Sequence, residues 1–179
     1  MTISIAVSVR RTFALPLDLA AARRQFCDFR QALRYLPDIG LVRTHAPDEY
    51  RIRYSAIHAG VYRVDLYSDV RAWYDQADDA LCVMPLQGIA PVASRVTPAS
   101  LTGQGDYSSR LSLRAAGART HASYEVQIKA ALPKPVGLKL VPNSAVRLFV
   151  ERVVRRRIQE ITDAFIRRST EGPPPRKSR

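Results

Sequence analysis

Cysteine is scarce in this chain of 179 residues. Cys27 and Cys82 stand alone, far from each other and from the three histidines. That excludes a disulfide framework and gives no metal-ligand spacing. Both thiols are expected to be buried and inert, in a reducing cytoplasm. Long apolar runs are also missing; none approaches the roughly 18 residues that span a bilayer. Met1 to Leu15 alternates apolar and polar residues, so it reads as a strand and not as a secretory signal. His45, His58 and His121 have no Cys, Asp or Glu at ligand spacing, so no metal is assigned. His121 is expected on an outward face and His58 in a solvated turn. A phosphate-cradling loop is lacking too. Gly103-Gln104-Gly105 has no strand-then-helix setting and is expected to be a hairpin turn. No Ser or Cys nucleophile stands near a recognisable base. No catalytic residue and no cofactor are therefore assigned.

Acid is the other shortage. Lys and Arg number 28 against 16 Asp and Glu, a formal net charge of +12. The excess is concentrated late: from Lys134 to Arg179 twelve basic residues face four acidic ones. Such a surface suits nucleic acid, anionic lipid or acidic partners, or simply keeps a helix face solvated.

Against these absences stands one long helical pattern, from Asn143 to Arg168. Pro142 precedes it, and Asn143 or Ser144 can cap its first turn. Val146, Val150, Val153, Val154, Ile158, Ile161, Ala164 and Phe165 form an apolar stripe at 100° per residue. Arg152, Arg155, Arg156, Gln159 and Asp163 fall opposite. Arg157 breaks the pattern by projecting into the stripe. The rest of the chain reads mainly as strands. Ile3 to Leu15 alternates; Pro16 ends it; Asp18 then offers a cap for a helical stretch to Phe29, and a second short helical piece runs from Arg30 to Leu36. After the Leu36-Pro37-Asp38-Ile39-Gly40 turn come strands near Leu41–Thr44, Tyr50–Tyr54, Tyr62–Tyr74 and Leu81–Met84. On the third of these, Arg63, Asp65, Asp69 and Arg71 are expected to face outward. Asp75 to Asp79 reads as a solvated turn. Pro85 to Ser100 has three prolines, a glycine and no period, and reads as an irregular crossing with one short edge strand near Ala93–Thr97. Strands around Tyr107–Leu113 and Ala122–Ala130 flank a hairpin at Gly117. Residues 1–168 are expected to be one domain, and 169–179, with three consecutive prolines, a disordered basic tail.

This order implies an α+β fold: a curved antiparallel sheet of about six or seven strands around a long terminal helix, with two short helices after the first strand. Phe13-Ala14-Leu15-Pro16, the Leu36-Pro37-Asp38-Ile39 turn and the terminal helix resemble the helix-grip fold of the START-like (SRPBCC) superfamily. That superfamily includes birch-pollen-allergen-like proteins, polyketide cyclases and lipid-transfer domains. Leu132-Pro133, Pro135 and Leu140-Val141-Pro142 are similar to a branch with no assigned function. The resemblance implies a hydrophobic cavity between sheet and helix.

The residues themselves add detail. Tyr50, Tyr54, Tyr62, Tyr74, Tyr107 and Tyr124 lie on the apolar side of their alternations. They either pack a core with hydroxyls at its rim or wall a cavity supplied with donors. With Val150, Val153, Arg157 and Ile161 they form the candidate ligand-binding set. Arg157 needs a carboxylate, water, a route to solvent or an anionic ligand. The sequence is thus read as a binding or carrier protein for a hydrophobic or amphipathic small molecule or lipid, with Pro85–Ser100 as a mobile cover. A polyketide-cyclase-type enzyme and a basic adaptor on nucleic acid or an anionic membrane surface are the alternatives.

Overall fold

Alternation of β-branched and polar residues produces long strands, and these dominate the computed structural model, which describes residues 2–58, 62–133 and 141–171. β1 (Thr2–Leu15) is followed by α1 (Leu19–Phe26), α2 (Phe29–Ala32) and a 3-10 turn (Leu33–Tyr35). Then come β2 (Ile39–Ala46), β3 (Glu49–His58), β4 (Tyr62–Asp75), β5 (Ala80–Pro85), β6 (Arg95–Val96), β7 (Ser100–Ala116), β8 (Arg119–Pro133) and α3 (Asn143–Glu171). The caps are those expected from the residue types. The Asp18 carboxylate accepts from the Ala21 amide at 2.7 Å, and Asp28 accepts from Arg30 at 2.8 Å.

The strands form one eight-stranded sheet in the order β1-β8-β7-β5-β4-β3-β2, with the short β6 beside β7. β6 falls within the stretch expected to hold an edge strand. Pairing is antiparallel except where the start of β7 runs parallel to β4, from Arg63↔Ser100 to Tyr67↔Gln104. Further on, β7 pairs with β5 instead, at Val83↔Ser109. Gly103-Gln104-Gly105 therefore lies inside a strand and not in a hairpin turn. The reason is spatial. A Cβ on residue 105 would stand 2.7 Å from the Lys129 carbonyl oxygen and 2.9 Å from the Ala130 Cβ, so only glycine lets β7 approach β8 there.

α3 runs along the edge strand β1. Arg155 donates to the Ser8 carbonyl at 3.4 Å and Arg11 to Asp163 at 3.3 Å. The helix continues past Arg168 to Glu171, because Ser169 shares the buried face and its carbonyl accepts from Gln25 of α1. The expected tail beyond it, from Gly172, lies outside the described residues. Two positions on α3 need comment. Val153, expected on the apolar stripe, is 38% exposed. The buried stripe runs through Val146, Ile158, Ile161, Thr162, Phe165 and Ser169, and Val153 falls beyond its edge.

Other expectations are corrected. Cys27 is exposed at the end of α1 and only Cys82 is buried. Asp69 faces away from the main core, as alternation requires, but is 4% exposed because the crossing after β5 lies over it. Pro85–Ser100 is not a cover of the concave side. The Leu86 amide bonds to the Asp69 carbonyl, Arg51 donates to the Ala90 carbonyl at 2.7 Å, and the Val92 amide donates to Gln104 at 2.6 Å. Those bonds seat the segment on the outer face. Asp79 is not simply solvated either: Arg23 grips it with two bonds of 2.6 Å. His121 is exposed, as expected. His58, expected in a turn, is instead the last residue of β3, paired with Tyr62; only its backbone is described.

Candidate functional site

Two apolar clusters fill the space between the sheet and α3. The larger lies under the C-terminal half of the helix and is centred on Phe165. Its ring meets Tyr124 at 4.6 Å between centroids, Phe26 at 6.0 Å, and Phe13 and Tyr35 at 6.4 Å. A small hollow remains there, bounded by Phe29, Leu36, Leu81, Tyr107, Ser109 and Phe165, among others. Its volume is about 10 Å³, room for about one water. The Tyr107 and Tyr124 hydroxyls meet at 3.1 Å on its wall, and Ser109 adds a third hydroxyl. Burial pushes the Tyr107 hydroxyl up and holds Tyr124 well above the usual tyrosine range, so both stay protonated donors.

The smaller cluster lies under the N-terminal half of α3. Val146 packs there with Ile3, Ile5, Leu101 and Leu132, and Tyr62, Val150 and Val154 border it. The Tyr62 hydroxyl is buried and has no hydrogen-bond partner among the described residues. Burial again raises its pKa.

Arg157 bridges helix and sheet between these clusters. Its Nη2 meets the Asp38 carboxylate at 2.5 Å, its Nη1 meets Glu160 at 2.9 Å, and its Nε donates to the Tyr54 hydroxyl at 3.0 Å. Burial would lower the guanidinium pKa, but bonds to Glu160 and Tyr54 and the nearby Asp38 charge more than offset it. Of the partners the sequence left open for Arg157, the structure supplies a turn carboxylate. Asp38 is placed for this by a left-handed turn, φ 59°, after the 3-10 segment.

The ten expected ligand residues are therefore not one constellation. Tyr107 and Tyr124 wall the hollow, Ile161 is buried in the same cluster, and Tyr62 and Val150 belong to the other. Tyr54 and Arg157 form the bridge. Tyr50 is packing: its ring lies 5.2 Å from Phe29 with the Arg30 guanidinium above it, and its hydroxyl donates to the Pro47 carbonyl. Tyr74 is engaged at the β4–β5 turn, where burial and the Asp79 charge push its hydroxyl up to about 12. Val153 faces solvent. The lining residues missed were Phe29, Ala32 and Leu36 from the short helical segments, Leu81 and Val83 of β5, Ser109 and Leu111 of β7, and Phe165. Ser109, a polar residue on an inward face, was the available signal.

A wider groove of about 580 Å³ spans β1, β8 and β7 beside α3. Lys129 and Arg147 are balanced there by Asp106 and Glu151, so its lining carries no net charge. Among the described residues no cluster of His, Cys, Asp and Glu is placed to hold a metal ion, and no helix is long and apolar enough to cross a membrane.

Neither a protein-family model nor a curated protein matches the sequence. Solved structures do. An aromatase/cyclase from Streptomyces sp. R1128 superimposes with a TM-score of 0.54 at 14% identity, covering 92% of this chain and 94% of its own. A START superfamily protein from Mycobacterium smegmatis gives 0.51 at 15% identity, over 92% and 97%. The fold is the START-like helix grip. A STAR-related lipid transfer protein from Xanthomonas axonopodis shares it, with a TM-score of 0.51 at 13% identity over 90% of this chain and 85% of that one. In this START-like frame the sheet is the grip and α3 the element gripped, and the likeness is one of fold.

Proposed function

We propose that the protein binds or carries a hydrophobic or amphipathic small molecule or lipid between α3 and the concave face of the sheet. The Tyr62 hydroxyl is the observation that carries this reading. A buried donor without a partner costs roughly 1–3 kcal/mol, and such groups in folded proteins are rare. A ligand with one polar group would satisfy it while its apolar body replaced the contacts around Val146 and Val150. The lipid-transfer and cyclase proteins of the same fold support a ligand of this kind.

The hollow beside Phe165 admits about one water, against roughly 300–1,000 Å³ for a small-molecule site, and Tyr62 and Val146 lie in a second, packed cluster. Binding therefore requires α3 to move. Its N-terminal half is the part to move: between Asn143 and Arg157 only Val146 is buried, whereas Ile158, Ile161, Thr162, Phe165 and Ser169 anchor the remainder. The raised tyrosine pKa values favour hydrogen-bond donation over base chemistry, so binding ranks above the cyclase reading. We place the protein in the cytoplasm, where an exposed free thiol such as Cys27 stays reduced.

Native mass spectrometry of protein isolated from cells should show a co-purifying apolar molecule. Tyr62→Phe should lower its affinity about tenfold, the loss of one hydrogen bond, while making the empty protein about 1 kcal/mol more stable. An empty wild-type protein that also fails to bind a pyrene-labelled fatty acid or anilinonaphthalene sulfonate would refute the reading. So would unchanged affinity in Tyr62→Phe.

A further inference from the structure

The outer side of the same half-helix carries its own signal. Leu148 is 61% exposed, Phe149 62% and Val153 38%. Arg152, Arg155 and Arg156 are exposed among them. At 100° per residue these six occupy roughly half of the helix circumference, and no acidic residue falls within that arc between Asn143 and Val153. The nearest acid in sequence, Glu151, borders the groove beside β1 instead. Arg152 has no charge partner among the described residues, and Arg155 bonds only a carbonyl. Only Arg156 is paired, with Glu160 one turn on.

A solvated helix face has no use for a leucine, a phenylalanine and a valine set among its arginines. Nucleic acid would favour the arginines but would gain little from leucine and valine, and no second aromatic stands in the arc to stack a base. Large apolar side chains set among arginines, on one face of a helix, match the boundary between lipid headgroups and acyl chains. We infer that the N-terminal half of α3 docks on an anionic bilayer, with Leu148 and Phe149 inserted and Arg152, Arg155 and Arg156 at the lipid phosphates. This surface faces away from the interior cluster around Tyr62. The inference stands on the exposed face alone and extends the carrier reading by giving it a place to load and unload.

The test uses the full chain with vesicles of phosphatidylcholine, with and without one third phosphatidylserine. Flotation should recover the protein with the anionic vesicles only, and added salt should release part of it. Leu148→Glu with Phe149→Glu should weaken that binding at least tenfold with unchanged circular dichroism, and Arg152→Gln with Arg156→Gln about tenfold. Phe149→Trp in a Trp73→Phe background should show a blue shift and quenching by brominated acyl chains. No recovery with anionic vesicles, or recovery of the double Glu variant at wild-type level, overturns the inference. So does self-association through Leu148 and Phe149, or tighter binding to single-stranded nucleic acid that those two substitutions leave intact. Because Tyr62→Phe leaves this face untouched, vesicle binding and ligand retention fail or succeed separately.

Discussion

Asp69 is held by more groups than any other carboxylate among the described residues. Arg51 grips both of its oxygens at 2.8 Å, His45 Nε2 approaches at 3.1 Å, and Gln104 donates at 3.1 Å. Burial by itself raises the carboxyl pKa, but the bonds and charges of Arg51 and His45 outweigh it, and the net shift is downward. A folded-state pKa below the unfolded value, about 3.9, stabilises the protein above that value. The contribution is lost as pH falls through the folded pKa. Asp69→Asn should therefore remove part of the acid limb of a stability–pH curve below about pH 4, measured by urea unfolding. Asp69→Ala should cost roughly 3–5 kcal/mol near neutral pH, because it leaves Arg51 half-buried and unpaired. Equal acid limbs in Asp69→Asn and wild type would contradict this. None of the network was legible in the sequence. Alternation correctly put Asp69 on the outer face, yet burial there comes from a segment 17 or more residues later whose path has no period to read.

Among the elements, α3 was the most readable and the most misread. Its N-terminal start and its main apolar stripe follow from spacing alone, whereas its last turn, to Glu171, does not. Which edge of the stripe faces the sheet does not, and so Val153 was placed inside while Thr162 and Ser169 were overlooked. The strands show the same limit. Alternation reports the face a residue takes, not its depth along the sheet. All six inward tyrosines share a face, but Tyr50 and Tyr74 lie where short helices and the β4–β5 turn use them for packing. Tyr107 and Tyr124 reach the hollow because β7 and β8 are adjacent there, at Leu111↔Tyr124 and Tyr107↔Ile128. Phe165 is the side chain that occupies the space a cavity would need. Phe165→Ala should cost about 3–5 kcal/mol, and the enlarged hollow, lined by rings and three hydroxyls, should then take up a phenol-sized molecule. Thermal shift with phenol should separate the variant from the wild type. A variant destabilised by less than 1 kcal/mol would mean that the neighbours had collapsed into the gap.

At the scale of the whole molecule, α3 is clamped unevenly, and that asymmetry links the interior site to the outer face. One end is sewn to the core by Phe165 and its four ring neighbours. The middle is tied across the gap by Arg157 to Asp38 and Tyr54. The other end rests on Val146, with Val150 and Val154 half-buried. Local opening is cheapest where few apolar groups must be exposed. Amides from Arg147 to Val154 should therefore exchange with solvent deuterium faster than those from Ile158 to Phe165, under conditions where the sheet stays protected. Arg157→Met removes the tie without touching either apolar cluster. Its cost in global stability should be small, about 1 kcal/mol, since the guanidinium and its carboxylates are partly exposed. Its effect on local exchange should be larger in proportion, several-fold and confined to the N-terminal half of α3. Uniform exchange along α3, or an Arg157→Met effect spread evenly over the sheet, would show that helix and sheet open as one body, and a ligand would then need another way in.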